Sequence, residues 1–441
     1  MEIVIAILFG IVSGLASGLI PGIGNFGIML IGFPIWMTFS VSELVVAYAA
    51  MSAIGQFIGS VPATLFGVPG ESSSLPAVIE GHKMYKDGRG SKAIIGSAVG
   101  SWLGSSVTII LSVAFLAYAM HVVNIYKTPI QFAFLVAISL MLCLTKNKQW
   151  WSSTVLFSIG IMLAIVGYDN TLNTSVLTFN NAWLWNGIPM VIIIFCLFAV
   201  PQIFAVNYNV QPTIKQTNTF KDVYYTLAKW PTIVRSSVIG YFCGFIPSLT
   251  YVAGTKFAYA FEQWIQKKNQ TYNKQGDANC LIAAETANNA GVFTQLLPLL
   301  ILGVPLVGSE ALLLNLAEIK GFTLTATNFQ DLILLAVCAL LIANTVGLIL
   351  GWPMSNLITK FYKINSNSLK TFSLVWMMAI LLWVGYSEYS LWYYCILIIL
   401  FFPIGVLLKN YNTMPLVFGF MIQDRLFETT WRFFQLTSHG W

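Results

Sequence analysis

"FGVPGESSSLP", residues 66–76, sits in a chain of 441 residues that is otherwise close to a lipid-soluble polymer. Hydrophobic residues make up 57% of it, mean hydropathy is +0.77 and only 9% is charged. Soluble domains carry about 25% charged residues. Between Ala93 and Phe204 the only charges are Lys127, Lys146, Lys148 and Asp169. Uncharged apolar runs of about 18 residues or more match the thickness of a bilayer. The chain therefore reads as an all-α, polytopic transmembrane protein, one domain over residues 1–441 with the lipid bilayer as its solvent. Against that background the G-V-P-G of the quoted stretch is a helix breaker, because proline removes a backbone donor and glycine admits unusual dihedrals. A break in hydrocarbon leaves N–H and C=O groups unpaired, so it survives only against protein or a water-filled cavity. Gly67, Pro69 and Gly70 make the break, and Glu71, Ser72, Ser73 and Ser74 open the half-helix that follows. The N-terminus of a helix attracts anions, and the serines add hydroxyl donors. The stretch reads as an anion cradle, with a serine-capped hairpin at the membrane surface as the plainer alternative.

Working outward, clear spans fall near 3–20, 93–118, 129–145, 150–167, 187–206, 331–352, 371–386 and 390–408. Segments near 26–38, 44–61, 232–247, 250–265, 281–302, 304–318 and 413–434 are shorter or interrupted by Gly and Pro. The interrupted ones fall into two similar groups. "GLASGLIP" (14–21) and "GYFCGFIP" (240–247) share G-x3-G-x2-P, and "PATLFGVP" (62–69) and "PLLILGVP" (298–305) share P-x4-G-V-P. Between the motifs the second copy is ten residues longer, which the polar stretch 266–277 accommodates. This pattern predicts an internal duplication, residues 3–92 against 229–327. In "GLIPGIGNFG" (18–27), Pro21, Gly22 and Gly24 end one helix and Asn25 starts another, again with a surface turn as the alternative.

Lys and Arg cluster in loops 81–92, 207–231 and 359–370, and are absent from 168–186, 321–329 and 386–390. The basic loops are expected in the cytoplasm, which makes the two copies inverted in the membrane. Inverted repeats with broken helices place their substrate near mid-membrane, where the repeats meet. The net charge of +6 is then a matter of topology, and no nucleic-acid partner is expected. In "AAETANNAGVFTQLLP" (283–298), Glu285, Asn288 and Asn289 lie one turn apart in an apolar setting. Intramembrane polar groups carry a function or a partner. Carboxylate and amide oxygens suit Na⁺, whereas a lone Glu suits H⁺. The six scattered cysteines, without a C-x-x-C, are expected to be buried small residues, and no catalytic centre, resident cofactor or metal is expected. The chain is not expected to be an enzyme, and no nucleotide motif suggests that it hydrolyses ATP.

At "GLASGLIPGIGN", "GVPGESSSLPAVIEGHKMYKDGRGSKAIIGSAVGSWLG", "AAETANNAGVFTQLLPLLILGVP" and "MPLVFGFMIQDRLFETTWRFF" the sequence resembles the large membrane subunit, the TctA type, of the tripartite tricarboxylate transporters. The pieces span nearly the whole chain in the family's order. The resemblance implies a permease of the bacterial inner membrane that carries a small carboxylate by symport with Na⁺ or H⁺. It implies two partners, a small membrane subunit and a periplasmic solute-binding protein. Two elements depart from the pattern. "IPSLT" (246–250) stands where the family has a Pro-Gly turn, and "GVPLVGSE" (303–310) has Leu306 where glycine is usual. Ser248 and Thr250 bring hydroxyls to the first, and Gly308 takes the flexible position in the second. Pro247 to Thr250 and Pro305 to Ser309 are expected to face the first copy's motifs across one anion site. The competing class is a membrane channel or scaffold without coupled transport, although a channel would more naturally show a charge ring or filter.

Overall fold

The structure is a computed structural model, and it describes residues 2–19, 24–67, 72–125, 127–144, 149, 151–169, 174–205, 220–246, 250–321, 326–351, 366–387 and 390–438. In chain order its principal helices are α1 (Glu2–Leu19), α2 (Gly24–Ile31), α3 (Val41–Phe66), α4 (Gly90–Ile125), α5 (Lys127–Leu144), α6 (Ser152–Ala164), α7 (Trp230–Cys243), α8 (Thr250–Lys268), α9 (Ala278–Leu302), α10 (Gly308–Ile319), α11 (Ala326–Gly351), α12 (Ser366–Ser387), α13 (Leu391–Leu407) and α14 (Met414–Ser438). Among the described residues five stretches are long and apolar enough to cross a membrane: Glu2–Leu19, Val41–Phe66, Gly90–Ala114, Asp331–Gly351 and Leu391–Asn410. The chain folds as two compact units, residues 1–116 with 207–368, and residues 117–206 with 369–441.

In the first unit, local chemistry sets the helix ends. Ser40 and Glu43 form a capping box at the start of α3: the Glu43 N–H reaches Ser40 Oγ (3.5 Å) and the Ser40 N–H reaches Glu43 Oε2 (2.7 Å). Asp277 caps α9 by accepting the N–H groups of Asn279 (2.9 Å) and Cys280 (3.0 Å). Both long helices contain a proline near their end, Pro62 and Pro298. Both stop on a left-handed glycine, Gly67 at φ +68° and Gly303 at φ +67°. That conformation is costly for a residue with a Cβ.

α3 and α9 are the buried axes of this unit. Every residue from Leu44 to Leu65 of α3 is buried, and so is every one from Cys280 to Leu300 of α9. α1 packs on α3 through small residues: Gly10, Ser13, Gly14, Ser17 and Gly18 are buried while Val4, Ile5, Leu8 and Val12 are exposed. Polar and small inside with bulky apolar outside is how a helix packs when its outer solvent is lipid. The packing of α7 on α9 repeats that of α1 on α3. A Cβ on Gly14 would meet the Met51 carbonyl oxygen (2.6 Å) and Ile54 Cβ (2.7 Å), and a Cβ on Gly240 would meet the Ala287 carbonyl oxygen and Ala290 Cβ (2.8 Å). For Gly18 the neighbours are the Gly55 carbonyl oxygen (2.7 Å) and Ile58 Cβ (2.9 Å), and for Gly244 the Gly291 carbonyl oxygen (2.8 Å) and Thr294 Cβ (2.9 Å). Each neighbour on α9 stands as far before Pro298 as its counterpart on α3 stands before Pro62. The match extends past the breaks, where Gly24 and Thr250 open α2 and α8 with positive φ, +59° and +28°.

In the second unit, α6 and α14 approach closely at Gly160 and Gly419, where an added Cβ would strike the backbone carbonyls of Leu416 and Phe157 respectively. Of residues 187–206, read as one span, 190–205 form a helical run with a π-helical stretch at Ile193–Ala199. The polar stretch 168–186 contains part of a small antiparallel hairpin, β1 (Gly167–Asp169) on β2 (Thr174–Val176), with Tyr168 opposite Ser175. Sequence reading expected only a loop there, because three-residue strands are too short to show a period. The six cysteines are free thiols, but only Cys196 and Cys280 are buried as expected; Cys143, Cys243 and Cys395 are half-buried and Cys338 is exposed.

Candidate functional site

The helix breaks place polar side chains on and beside the two buried helices. Of the residues expected at the site, Pro21, Gly22, Pro69, Gly70, Glu71, Pro247 and Ser248 lie outside the described residues, as does the side chain of Ser72. Gly24 opens α2, and next to it Asn25, 6% exposed, reaches inward. Its Oδ1 accepts the Ser17 hydroxyl (2.8 Å) and its Nδ2 donates to Ser52 Oγ on α3 (3.3 Å). A side chain thus ties the end of α1, the start of α2 and the middle of α3 together, which a surface turn would not do.

At the break after α3, Gly67 ends the helix and donates its N–H to the Ala63 carbonyl (3.1 Å). His82 Nδ1 lies 3.0 Å from the Thr64 carbonyl oxygen, and a Cβ on Gly67 would come 3.0 Å from the His82 ring. Ser72–Ser74 form a single helical turn, with Ser73 and Ser74 both buried. The Ser73 hydroxyl donates to Gln56 Oε1 on α3 (2.9 Å), whereas Ser74 Oγ has no partner.

The second group of motifs answers its donors differently. Thr250, 1% exposed, donates its N–H to the Ile246 carbonyl (2.7 Å). Gly303, Val304, Pro305 and Leu306 are all buried, and Gly308 starts α10. Ser309 Oγ lies 2.9 Å from the Tyr48 hydroxyl of α3. Glu310, fully buried, accepts the Leu306 N–H on Oε2 (2.7 Å) and leaves Oε1 without a partner. At this break a carboxylate of the chain itself accepts the backbone donor.

On α9, Glu285, Asn288 and Asn289 are 0%, 0% and 1% exposed. Both carboxylate oxygens of Glu285, both polar side-chain atoms of Asn288 and the Oδ1 of Asn289 are buried without partners. Buried polar groups in proteins are nearly always hydrogen-bonded, so this concentration on one helix makes α9 the candidate site. Sequence reading missed the residues tied to it, Ser101 and Ser105 of α4 and Asn344 of α11, and also Ser52 and Gln56 of α3, which bond Asn25 and Ser73. A serine or asparagine every few residues in an apolar span is also how membrane helices pack, and no spacing singled these out.

The two groups of motifs are also tied at a polar end. Glu80, fully buried, accepts hydrogen bonds from the hydroxyls of Tyr259 (2.8 Å) and Tyr272 (2.9 Å) on Oε1 and from the Asp277 N–H (2.9 Å) on Oε2. Arg89 donates to the carbonyl oxygens of Gly276 (3.1 Å) and Gln275 (2.9 Å). Burial, and then the hydrogen bond to Glu80, push the Tyr272 hydroxyl up to about 12, so it remains a donor at physiological pH.

Buried helices that stop at left-handed glycines, unpartnered polar atoms inside an apolar interior and lipid-type packing outside fit a polytopic membrane protein. The Tripartite tricarboxylate transporter TctA family matches residues 4–418, and the chain belongs to that family. Membership makes it a tricarboxylate transporter subunit. An uncharacterized 52.8 kDa protein in the TAR-I ttuC' 3' region of Agrobacterium vitis is 26% identical over 366 residues, 80% of this chain and 72% of that protein. An uncharacterized protein of Methanocaldococcus jannaschii is 23% identical over 411 residues, 92% of this chain and 94% of that one. No solved structure matches the chain.

Proposed function

We propose that the chain is the permease of a binding-protein-dependent system that moves a small, tricarboxylate-like anion across the bacterial inner membrane by secondary active transport, coupled to a Na⁺ or H⁺ gradient. A periplasmic solute-binding protein delivers the substrate, and a small membrane subunit completes the complex. The observation that carries this reading is the set of buried, unpartnered polar atoms in the middle of α9 and at Ser74, just beyond the Gly67 break, in apolar surroundings. The matched packing of α1 on α3 and α7 on α9 supports the further proposal that residues 3–92 and 229–327 are copies of one motif, inverted in the membrane.

Within this reading the first copy holds the substrate carboxylate. Just beyond its break at Gly67 lies Ser74, a buried hydroxyl without a partner, while the second copy's Leu306 N–H is engaged by Glu310. Loss of one charge-assisted hydrogen bond costs about 1.5–3 kcal/mol, or about a 10- to 150-fold drop in affinity. Uptake of labelled carboxylate by cells expressing a Ser72/Ser73/Ser74 triple alanine variant, at matched membrane levels, tests it. The expected result is an apparent affinity lowered by about tenfold or more. Unchanged uptake would return residues 66–76 to the status of a structural turn.

A further inference from the structure

The unpartnered atoms of α9 differ in kind, and the kind says what is missing. At Glu285 and Asn289 they are oxygens: both carboxylate oxygens of Glu285 and the Oδ1 of Asn289. The donors of Asn289, Ser101 and Ser105 are already spent, while the Nδ2 groups of Asn288 and Asn344 and the Thr286 hydroxyl stay unpartnered. Asn289 Nδ2 donates to Ser101 Oγ of α4 (2.7 Å) and to the Glu285 carbonyl oxygen (3.4 Å). The Ser101 hydroxyl donates to that same carbonyl (3.3 Å). Ser105 donates to the Asn289 carbonyl oxygen (3.3 Å) and to Asn344 Oδ1 (3.2 Å). The amide nitrogen of Asn289 is therefore held on Ser101, and its oxygen is left as a free acceptor. Residues four apart share one face of a helix, so this oxygen and the Glu285 carboxylate belong to the same side of α9.

We propose that Glu285 and Asn289 are ligands of a monovalent metal cation of the sodium class, and that Ser101 is the residue that positions Asn289 for it. An all-oxygen set suits a hard cation. A single carboxylate with a neutral amide oxygen balances one positive charge and leaves a divalent ion uncompensated. A proton is the competing occupant, but it sits on one Glu285 oxygen and reaches at most one further acceptor, whereas an ion engages several at once. This assignment rests on the transport reading above and names its coupling ion.

Equilibrium binding of radioactive sodium to the purified full-length chain in detergent, with choline replacing sodium at constant ionic strength, tests it without any transport assay. The expected result is saturable binding by the unaltered protein. Glu285→Gln and Asn289→Ala weaken it by about tenfold or more, the loss of one charge-assisted contact. Ser101→Ala weakens it several-fold, Ser101→Thr restores it because the hydroxyl is kept, and Ser106→Ala, whose hydroxyl bonds only within α4 to the Trp102 carbonyl, leaves it unchanged. A purely structural role for Ser101 would lower thermal stability in choline without moving sodium affinity. Absence of saturable sodium binding, or equal affinity in Glu285→Gln and Asn289→Ala, would overturn the assignment. If either variant fails to purify as a single species, the Ser101 pair and sodium-dependent thermal stabilisation of the unaltered chain decide it in the same way. Carboxylate uptake driven by a pH gradient without sodium would overturn the sodium site and leave transport standing. Saturable sodium binding with no carboxylate uptake would do the reverse.

Discussion

Glu310 and Ser74 follow Gly303 and Gly67 at the same interval, yet they treat the backbone around them in opposite ways. Glu310 accepts the Leu306 N–H, while Ser74 Oγ stays unpartnered. Removing the Glu310 carboxylate strips a buried N–H of its acceptor, which costs about 1–3 kcal/mol. Glu310→Ala is accordingly expected to lower the thermal midpoint of the detergent-solubilised protein, and Glu310→Gln, which keeps an acceptor oxygen, to lower it less. Equal losses would show that the Leu306 contact contributes nothing. At this scale the sequence was informative wherever a polar residue interrupted an apolar run: Glu285, Asn288 and Asn289 stood out on that ground, and all three are buried. Glu310 did not stand out, because a glutamate seven residues after a glycine looks like an ordinary first-turn acid. Only its burial, and the N–H it faces, reveal what it does.

Close approach of backbones is what holds the helices of the first unit together. Gly240 leaves no room for a side chain, because its place on α7 lies against the Ala287 carbonyl and Ala290 Cβ of α9. At Gly351, the end of α11, an added Cβ would meet none of the described residues within 4 Å. Overpacking costs about 1–3 kcal/mol per site, so Gly240→Ala is expected to lower the thermal midpoint in detergent and Gly351→Ala to leave it nearly unchanged. The G-x3-G-x2-P pattern made the breaks legible in the sequence, and it also located the packing glycines, although their spacing alone could not say which helix they would meet. The tie at Glu80 was illegible, since its partners Tyr259, Tyr272 and Asp277 are separated from it by well over a hundred residues. Glu80→Ala leaves two hydroxyls and an N–H without their acceptor, and is expected to destabilise the protein by about 2 kcal/mol or more. Retention of the native midpoint in that variant would reduce the tie to a surface contact.

For the whole molecule, the distribution of Lys and Arg predicts that loop 81–92 faces the cytoplasm and loop 168–186 the periplasm. Single cysteines at Gly88 and Asn180, probed from intact cells with an impermeant reagent, are expected to label only at Asn180, and labelling at Gly88 would reverse the map. The all-helical, lipid-solvated class was legible from composition alone, because few charges in 441 residues leave no other solvent for the surface. The way the chain divides between its two compact units was not, since it depends on contacts between segments distant in sequence. The central claim is that this permease performs coupled secondary transport and is not a pore. The most direct measurement is carboxylate uptake by right-side-out membrane vesicles containing the complete system, at rising substrate concentration, with the sodium and proton gradients imposed one at a time. The account predicts uptake that saturates and collapses when the coupling gradient is removed. Uptake that rises linearly with concentration and ignores both gradients would contradict it.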